Sequence, residues 1–315
     1  MHELFSTRNN HMIDPGLAIW GWEIPVYLFI GGLVAGFMII AGYFTLKGHH
    51  KHSAFSSFYL PHLSLVFLTF GMLSLFLDLE HKLYVWRLYT TFEITSPMSW
   101  GSWILILVYP ALLLNTLIDI PKPFRNRIPM FDRVSGSIQS RPMLAKNIGV
   151  LNMIVGAILG MYTGILLSAL GARPLWNSAM LWILFLTSGL SSAAALVHMI
   201  TTDRTERELS AKADNGFLIF ELFVFVLFFV GMVSSTQAHR HAAALLLTGP
   251  YAAAFWVFVI LLGIVVPLVI QLLAVNHKVK HTAIAPIMVI AGGMALRFVI
   301  VYAGQASHWT RVVPY

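Results

Sequence analysis

Four ionisable side chains lie within or at the ends of long apolar segments, where a charge is unfavourable and therefore informative. Glu23 lies in WGWEIPVY, Asp78 closes an apolar run, Glu221 lies in IFELFVF, and Arg297 lies in GGMALRFVIVYAG. A charged residue at a bilayer centre costs ~2.5 to 3.5 kcal/mol even on insertion scales, so it usually pairs or serves ligand or proton chemistry. We therefore expect Arg297 to have an acidic partner, with Glu23 or Asp78 as the candidates.

Polar side chains also recur along a second apolar segment. Thr187, Ser191 and His198 follow one another at spacings of four and seven residues, so they share one face of a helix. Serine, threonine and histidine in membranes often serve only as hydrogen-bonding contacts between helices. The carboxylate of Glu221 is less suited to that role, and a proton relay is the default function for such a group.

These residues are positioned by eight apolar segments, each long enough to cross ~30 Å of hydrocarbon. Of 315 residues, 58% are hydrophobic and 10% are charged, whereas about a quarter are charged in soluble domains. The segments are residues 17–46, 56–79, 98–119, 147–170, 175–200, 217–238, 251–275 and 283–304. Each is continuous rather than alternating, which disfavours a β-barrel. The sequence predicts an all-α integral membrane protein with a single membrane domain over residues 1–315.

Lys and Arg predict the orientation, because cytoplasmic loops carry the excess of positive charge. The side that holds both termini carries Arg8, Lys82, Arg87, Arg173, Arg240 and Arg311. The opposite side carries Lys47, Lys51, Lys122, Arg125, Arg127, Arg133, Arg141, Lys146, Arg204, Arg207, Lys212, Lys278 and Lys280. Both termini are therefore predicted to be periplasmic.

The longest predicted cytoplasmic connection, residues 120–146, is basic and rich in proline, which is typical of a loop over anionic headgroups of membrane lipid. We interpret it as the divider between two four-helix halves, at about 17–170 and about 175–304. In helix 4, Gly156, Gly160 and Gly164 form a stripe for close helix packing. Whether two copies associate through this stripe is open from the sequence.

The composition excludes several kinds of site. The protein has no cysteine, so it has no thiolate ligands for an iron–sulfur cluster or a zinc ion, and any such centre must lie on a partner. Its net charge of +7 is carried largely by short loops, where basic residues set membrane orientation, so no nucleic-acid binding is predicted.

Several motifs together carry a family resemblance over nearly the whole sequence. They are NNHMIDPGLAIWGWEIPVYLFIGGLVAG, DLEHKLYVWRLYTTFEITSPMSWGSW, MYTGILLSA, ARPLWN and GGMALRFVIVYAG, with TSPMSWGSW the most specific part. The sequence resembles the NrfD/PsrC family, the membrane subunits of polysulfide reductase, of formate-dependent nitrite reductases and of similar respiratory complexes.

The resemblance implies a quinone-reactive subunit in the bacterial inner membrane. Such proteins bind menaquinone or ubiquinone near the outer face and carry no haem or iron–sulfur cluster. They exchange electrons with a periplasmic ferredoxin-like four-cluster iron–sulfur subunit, which serves a catalytic subunit that often holds molybdopterin. Carried over to this sequence, the resemblance assigns the quinone site to Asn10, His11, Asp78 and Tyr162.

Quinone and quinol interconvert by two electrons and two protons, so the carbonyls need neighbours that hydrogen-bond and titrate. We expect His11 and Tyr162 to hold the quinol by hydrogen bonds while Asp78 exchanges a proton. A proton route towards the cytoplasm would use the remaining buried polar groups, namely Glu23, His198, Glu221 and Arg297.

Two other functions fit parts of the pattern. His62 and His198 both fall in the predicted cytoplasmic third, where two imidazoles can ligate the haem of a b-type membrane anchor. A secondary transporter would also combine midplane charges with glycine-interrupted helices. A haem absorption band, or substrate flux by this protein alone, would distinguish these functions from the first.

Overall fold

A computed structural model describes residues 20–48, 55–121, 129–275 and 282–309. Eight long helices are α1 (Glu23–Leu46), α2 (Phe55–Asp78), α3 (Pro97–Thr116), α4 (Pro142–Ser168), α5 (Leu181–Ile200), α6 (Arg204–Val233), α7 (Ala254–Val265, continued by Val266–Val275) and α8 (Ile284–Ala306). All eight are long and apolar enough to cross a membrane, which confirms the predicted number of spans. We call the end of the bundle where α1 begins the outer end, following the charge distribution, and the opposite end the inner end.

The largest difference from the predicted boundaries is the start of α6. The helix begins at Arg204 rather than near residue 217. Asp203 caps it, because its carboxylate accepts a hydrogen bond from the backbone N–H of Glu206 at 3.2 Å. Hydropathy does not detect such a cap, so a prediction from apolar runs leaves the polar first turns of the helix in a loop.

The basic connection also contains structure that the sequence did not predict. Residues Pro129–Gln139 form an amphipathic helix within the segment interpreted as a loop. Ser135 and Gln139 both donate hydrogen bonds to the carbonyl of Ile118, at 2.9 and 2.8 Å, and so attach this helix to the end of α3. At the outer end, Gln237–Leu247 forms a second short helix, between α6 and α7.

Helices α1 and α5 occupy the centre of the bundle. Helix α1 packs against α2, α4, α5 and α8, and α5 packs against α4, α6 and α8. In the most apolar 18-residue window of α1, 78% of the window is buried inside the protein, whereas in that of α7 only 28% is buried. Helix α7 therefore presents most of its surface to lipid, while α1 is a core element.

Glycines allow the central helices to approach closely. A Cβ atom on Gly189 of α5 would lie 2.8 Å from the carbonyl carbon of Gly32 on α1, nearer than real Cβ contacts occur. The stripe Gly156, Gly160 and Gly164 of α4 likewise faces α1 and α5. The stripe is covered within the protein, so a second copy would have to associate through another surface.

We expect Gly189→Ala to destabilise the bundle by roughly 1 to 3 kcal/mol, because the added methyl group forces α1 and α5 apart. Gly231 on α6 is a matched control, since a Cβ there meets no atom within 4 Å. Gly231→Ala should be neutral or stabilising by up to ~1 kcal/mol. Thermal unfolding in detergent measures both, and equal midpoints for the two variants would contradict the packing described here.

Candidate functional site

The outer ends of α1 to α4 enclose a cavity of about 170 Å³, which we call the outer cavity. Apolar side chains form most of its wall, among them Leu75, Leu88, Met98 and Leu166. Its polar lining groups are Tyr27, Asp78, Tyr89, Ser102 and Tyr162. An apolar wall with a few convergent polar groups is the usual composition of a small-molecule site.

Asp78 is the last residue of α2 and lies at the edge of the outer cavity. One turn earlier, the hydroxyl of Ser74 donates a hydrogen bond of 2.9 Å to the carbonyl of Glu23, which fixes the end of α2 to the start of α1. The carboxylates of Asp78 and Glu23 are close enough to interact electrostatically. Asp78, which lines the cavity, therefore has a second acidic group in its surroundings.

Tyr162 enters the same cavity from α4 and is 4% exposed. Its hydroxyl lies against Gly101 of α3, and a Cβ atom on Gly101 would overlap the Tyr162 oxygen. The glycine in TSPMSWGSW thus makes room for the phenol. Two of the four predicted quinone-site residues, Asp78 and Tyr162, line one cavity, whereas Asn10 and His11 lie outside the described residues.

Two further tyrosines line the cavity, and neither was predicted from the sequence to belong to the site. Tyr27 lies one turn after Glu23 on α1, and Tyr89 lies in the short helix Arg87–Thr90. Burial raises the pKa of the Tyr89 phenol above its ordinary value, and the phenol of Tyr109 adds to the shift. Tyr89 therefore keeps its proton at neutral pH and can donate a hydrogen bond.

The wall around Trp20 is held by contacts from the far end of the sequence. Gln305 of α8 accepts a hydrogen bond from the Trp20 backbone N–H at 2.9 Å and donates one to its carbonyl at 3.0 Å. The Trp20 indole stacks on Trp176 with ring centroids 5.2 Å apart, and Trp176 donates to the Ile300 carbonyl at 2.9 Å. The motifs around Trp20, Trp176 and Gln305 therefore meet beside the cavity.

An exposed rim of aromatic and apolar residues lies in the connection between α2 and α3, which also supplies the cavity residues Leu88 and Tyr89. Leu83 is 88% exposed and Ile94 is 68% exposed. The Arg87 guanidinium lies 4.7 Å from the ring centre of Tyr84 and 5.6 Å from that of Trp86, within the range of cation–π attraction. Such a surface, with aromatic groups and arginine, has the composition of a protein interface.

Local hydrogen bonds shape the part of the rim that precedes α3. Thr95 donates two hydrogen bonds to the Glu93 carboxylate, one from its hydroxyl at 2.7 Å and one from its backbone. They hold the pKa of this exposed carboxyl below its ordinary value. The Trp100 indole donates to the Ile94 carbonyl at 2.8 Å, so the turn folds back on the first turn of α3.

Arg297 forms a second site at the centre of the bundle and has no exposed surface. Its guanidinium donates to the hydroxyl of Ser188 at 2.6 Å, to the carbonyl of Phe185 at 2.7 Å and to that of Gly293 at 3.2 Å. It also lies 4.6 Å from the ring centre of Phe185. A Cβ on Gly32 of α1 would lie 3.1 Å from the guanidinium, so Gly32 provides the space.

The acidic group that acts electrostatically on Arg297 is Glu221 of α6, so the expectation of Glu23 or Asp78 was wrong. Glu221 and Arg297 interact electrostatically, and the Ser188 hydroxyl lies near the Glu221 carboxylate. Ser188, which accepts a hydrogen bond from Arg297, therefore lies between the cation and the anion. We call Arg297, Ser188 and Glu221 the central cluster.

Asp214 is a fully buried carboxylate that was not predicted from the sequence. It accepts hydrogen bonds from the Ser191 hydroxyl at 2.6 Å and from the Gln271 amide at 2.7 Å. A span that starts at residue 217 leaves Asp214 in a solvated connection, which is why hydropathy conceals it. The sequence did contain one signal for Asp214: it lies seven residues before Glu221, so the two carboxylates share one face of a helix.

The remaining predicted relay residues do not join the central cluster. Glu23 lies at the outer end, beside Asp78. His198 is buried in the last turn of α5, ten residues from Ser188, a distance of ~15 Å along a helix. His62 of α2, which was considered only as a haem ligand together with His198, has its Nδ1 2.8 Å from the carbonyl of Phe58. A proton route through these residues would therefore have to connect Glu23 at the outer end, the central cluster, and His198 near the inner end of α5.

A larger cavity, of about 340 Å³, lies in the inner half of the bundle. Its wall is almost entirely apolar and includes Ile40, Phe44, Met153 and Phe217, with Tyr43 and Ser210 as polar residues. The outer cavity is smaller, yet it gathers a carboxylate and three phenols. Proton-coupled chemistry requires such titratable groups, so the outer cavity is the better candidate.

Comparisons with known proteins identify the family of this protein. The family described as "Polysulphide reductase, NrfD" matches residues 10–308. The C subunit of polysulfide reductase from Wolinella succinogenes is 30% identical over 301 residues, covering 91% of this protein and 94% of its own length. Protein NrfD of Escherichia coli is 28% identical over 315 residues, covering 92% and 96%. The NrfD homolog of Haemophilus influenzae is 29% identical over 308 residues, covering 92% and 95%.

The family match covers almost the entire sequence and includes every described helix. The eight spanning helices and the family together identify a multi-pass protein of the bacterial inner membrane. Proteins of this family are membrane subunits of respiratory reductase complexes. The protein therefore belongs to the NrfD family of polysulphide reductase-type membrane proteins.

Proposed function

We propose that this protein is the quinone-reactive subunit of a respiratory oxidoreductase complex. It would exchange electrons between menaquinone or ubiquinone in the membrane and a periplasmic ferredoxin-like iron–sulfur subunit, with terminal chemistry on a catalytic subunit that often holds molybdopterin. The observation that carries the proposal is the outer cavity, in which Asp78 and Tyr162 meet between four spanning helices.

The size and lining of the outer cavity fit the head of a quinone. An engineered cavity of ~150 Å³ with an apolar wall binds benzene, so about 170 Å³ accommodates a quinoid ring. The isoprenoid tail would then leave between the helices towards lipid. When bound, the quinone supplies two-electron, two-proton redox chemistry.

The residues of the cavity have separate parts in this proposal. Tyr162, held by its fit against Gly101, donates a hydrogen bond that orients one quinone oxygen. Tyr89 keeps its proton and is a second donor. Asp78 takes up or releases the proton, and its position at the last turn of α2 allows that proton to reach the outer solvent.

Electrons would leave or enter through the rim. The protein has no cysteine, so a cluster that accepts electrons has to belong to another subunit. The docking surface would be the rim, whose exposed Leu83, Trp86 and Ile94 and the cation of Arg87 belong to the same connection as the cavity residues Leu88 and Tyr89. A partner on this surface would bring its nearest cluster close to the quinone without crossing the bilayer.

Proton transfer would use the central cluster. Glu221 and Arg297 lie deeper than the outer cavity, and both are buried from solvent. A buried carboxylate near a cation and a hydroxyl can change its protonation when a nearby charge changes. We include Glu23 and His198 in this route as the groups at its outer and inner ends.

Tyr162→Phe and Asp78→Asn should each lower quinol-linked electron transfer by about tenfold or more, in the range of lost acid–base and hydrogen-bond catalysis. Both variants keep the shape of the side chain, so the complex should assemble. The measurement is quinol oxidation by membranes that contain the whole complex, normalised to assembled complex.

Matched controls are Glu80→Gln, an exposed carboxylate two residues after Asp78, and Tyr59→Phe, an exposed tyrosine on the inner part of α2. Both should retain the electron-transfer rate of the native complex. Full turnover in both Tyr162→Phe and Asp78→Asn would remove the pocket assignment.

Gly101→Ala should displace the Tyr162 phenol, because the added Cβ occupies the position of its oxygen. We expect a KM for quinol about fivefold higher, the equivalent of one lost hydrogen bond of ~1 kcal/mol. Gly171→Ala, where a Cβ meets no atom within 4 Å, is the control. An unchanged KM in Gly101→Ala would show that the fit between α3 and α4 does not set quinol binding.

Glu221→Gln should reduce the protons displaced per electron more than it reduces electron flow. The amide keeps the shape of the side chain but does not titrate, and Ser188 can still contact it. Proton displacement and electron transfer are measured on the same proteoliposomes, with exposed Glu208→Gln of the same helix as control. Equal coupling with and without the Glu221 carboxylate would exclude it from the relay.

A further inference from the structure

Asp214 is a buried carboxylate that no part of the proposed route employs. It lies on the buried face of α6, together with Ser210 and Glu221. Its hydrogen bonds come from two neutral groups, the Ser191 hydroxyl and the Gln271 amide. In the part of the sequence that the structure describes, no Lys, Arg or His lies within ion-pair distance of this carboxylate.

Glu221 differs from Asp214 because a cation acts on it electrostatically. That cation is the Arg297 guanidinium, and the Ser188 hydroxyl that accepts a hydrogen bond from Arg297 lies near Glu221. Glu221 and Asp214 also interact with each other electrostatically. Two carboxylates and one cation therefore occupy the same buried region.

Ser188 and Ser191 connect the two carboxylates along α5. They are three residues apart and so share one helix face, with Ser188 at Glu221 and Ser191 at Asp214. Both serines and Glu221 line one small cleft between α5, α6, α7 and α8. Ser192 lines it too, and its buried hydroxyl has no hydrogen-bond partner in the described residues, so the cleft retains a free polar group.

Charge balance decides the protonation of this region. If both carboxylates were ionised beside one cation, a net negative charge would remain in a low-dielectric interior, which is strongly unfavourable. A group near a like charge and away from solvent keeps its proton. Arg297 acts on Glu221, whereas the Asp214 carboxylate is hydrogen-bonded only to the neutral Ser191 and Gln271, so Asp214 is the group that keeps a proton.

We propose that Asp214 is a further proton-binding residue, that it holds one proton in common with Glu221, and that the hydroxyls of Ser191 and Ser188 carry this proton between them. The proposal rests on the proton-transfer part of the proposed function and extends it towards the inner end. Gln271 is a positioning residue, because its amide orients the Asp214 carboxylate without neutralising it.

The transfer conserves both protons and charge. The Ser191 hydroxyl, which donates to Asp214 in the structure, turns towards Ser188, and its oxygen takes the proton of the Asp214 carboxylic acid as its own proton passes to the Ser188 oxygen. Ser188 gives its own proton to the Glu221 carboxylate. Asp214 ends as the carboxylate and Glu221 as the carboxylic acid. Arg297 stays charged and so opposes protonation of Glu221, which returns the proton to Asp214.

Infrared difference spectroscopy of the purified complex between two pH values tests this without turnover. We expect the C=O band of a protonated carboxylic acid at neutral pH, shifted in D₂O. Asp214→Asn should abolish this band, and Glu221→Gln should weaken it, since removal of one negative charge lets Asp214 ionise. Exposed Glu208→Gln should leave the band unchanged.

A second variant keeps the carboxylate, in case Asp214→Asn does not fold. Ser191→Ala removes the donor at 2.6 Å and should shift the frequency of the band. A native band in both Asp214→Asn and Ser191→Ala would overturn the proposal. The band needs no quinone, so its presence in a complex without quinol-linked electron transfer would refute the proposed function and still support the shared proton.

Discussion

The buried guanidinium of Arg297 is the constraint around which the bundle is arranged. A charged group deep in a bilayer needs hydrogen bonds and an opposite charge nearby, because lipid offers it neither water nor counter-ions. Here α5 supplies the Ser188 hydroxyl and the Phe185 carbonyl, α6 supplies Glu221, and α1 supplies the space at Gly32. One cation thus determines how four helices meet.

Under the proposed function, redox chemistry and proton transfer take place at different depths along the membrane normal. Tyr162 lies six residues from the outer end of α4, and Arg297 lies nine residues from the outer end of α8, or ~9 and ~14 Å along ideal helices. Redox chemistry at the outer cavity is therefore close to a partner on the rim, while the titratable groups of α6 lie farther inside. Under the proposed function, α1 is the element common to both places, since it carries Tyr27 at the cavity and Gly32 at the cation.

The number and order of the spanning helices could be predicted from the sequence, because each is a long apolar run whose transfer into lipid is favourable. The start of α6 could not, since the Asp203 cap and the polar first turns are stabilised by hydrogen bonds that hydropathy does not measure. Because the predicted span began near residue 217, Asp214 was assigned to a loop and was not recognised as a buried carboxylate. Helix Pro129–Gln139 was missed for a similar reason, because its attachment depends on the Ile118 carbonyl.

The contacts between the candidate residues were harder to predict than the candidate residues themselves. Arg297 was expected to need an acid, but the sequence could not distinguish Glu221 from Glu23 or Asp78, since that choice depends on how helices pack. The meeting of Asp78 and Tyr162 followed from the family resemblance, and the structure adds Gly101 and Tyr89 to the same cavity. The roles of Asn10 and His11 stay predictions.

Photoaffinity labelling of the complex with an azido-quinone tests the central claim most directly, because it locates the ring in the protein. The account predicts that unmodified quinol competes with the label, and that labelled peptides come from the outer ends of α2, α3 and α4, around Asp78, Gly101 and Tyr162. Competed label confined to the inner cavity, around Ile40, Phe44 and Phe217, would contradict it.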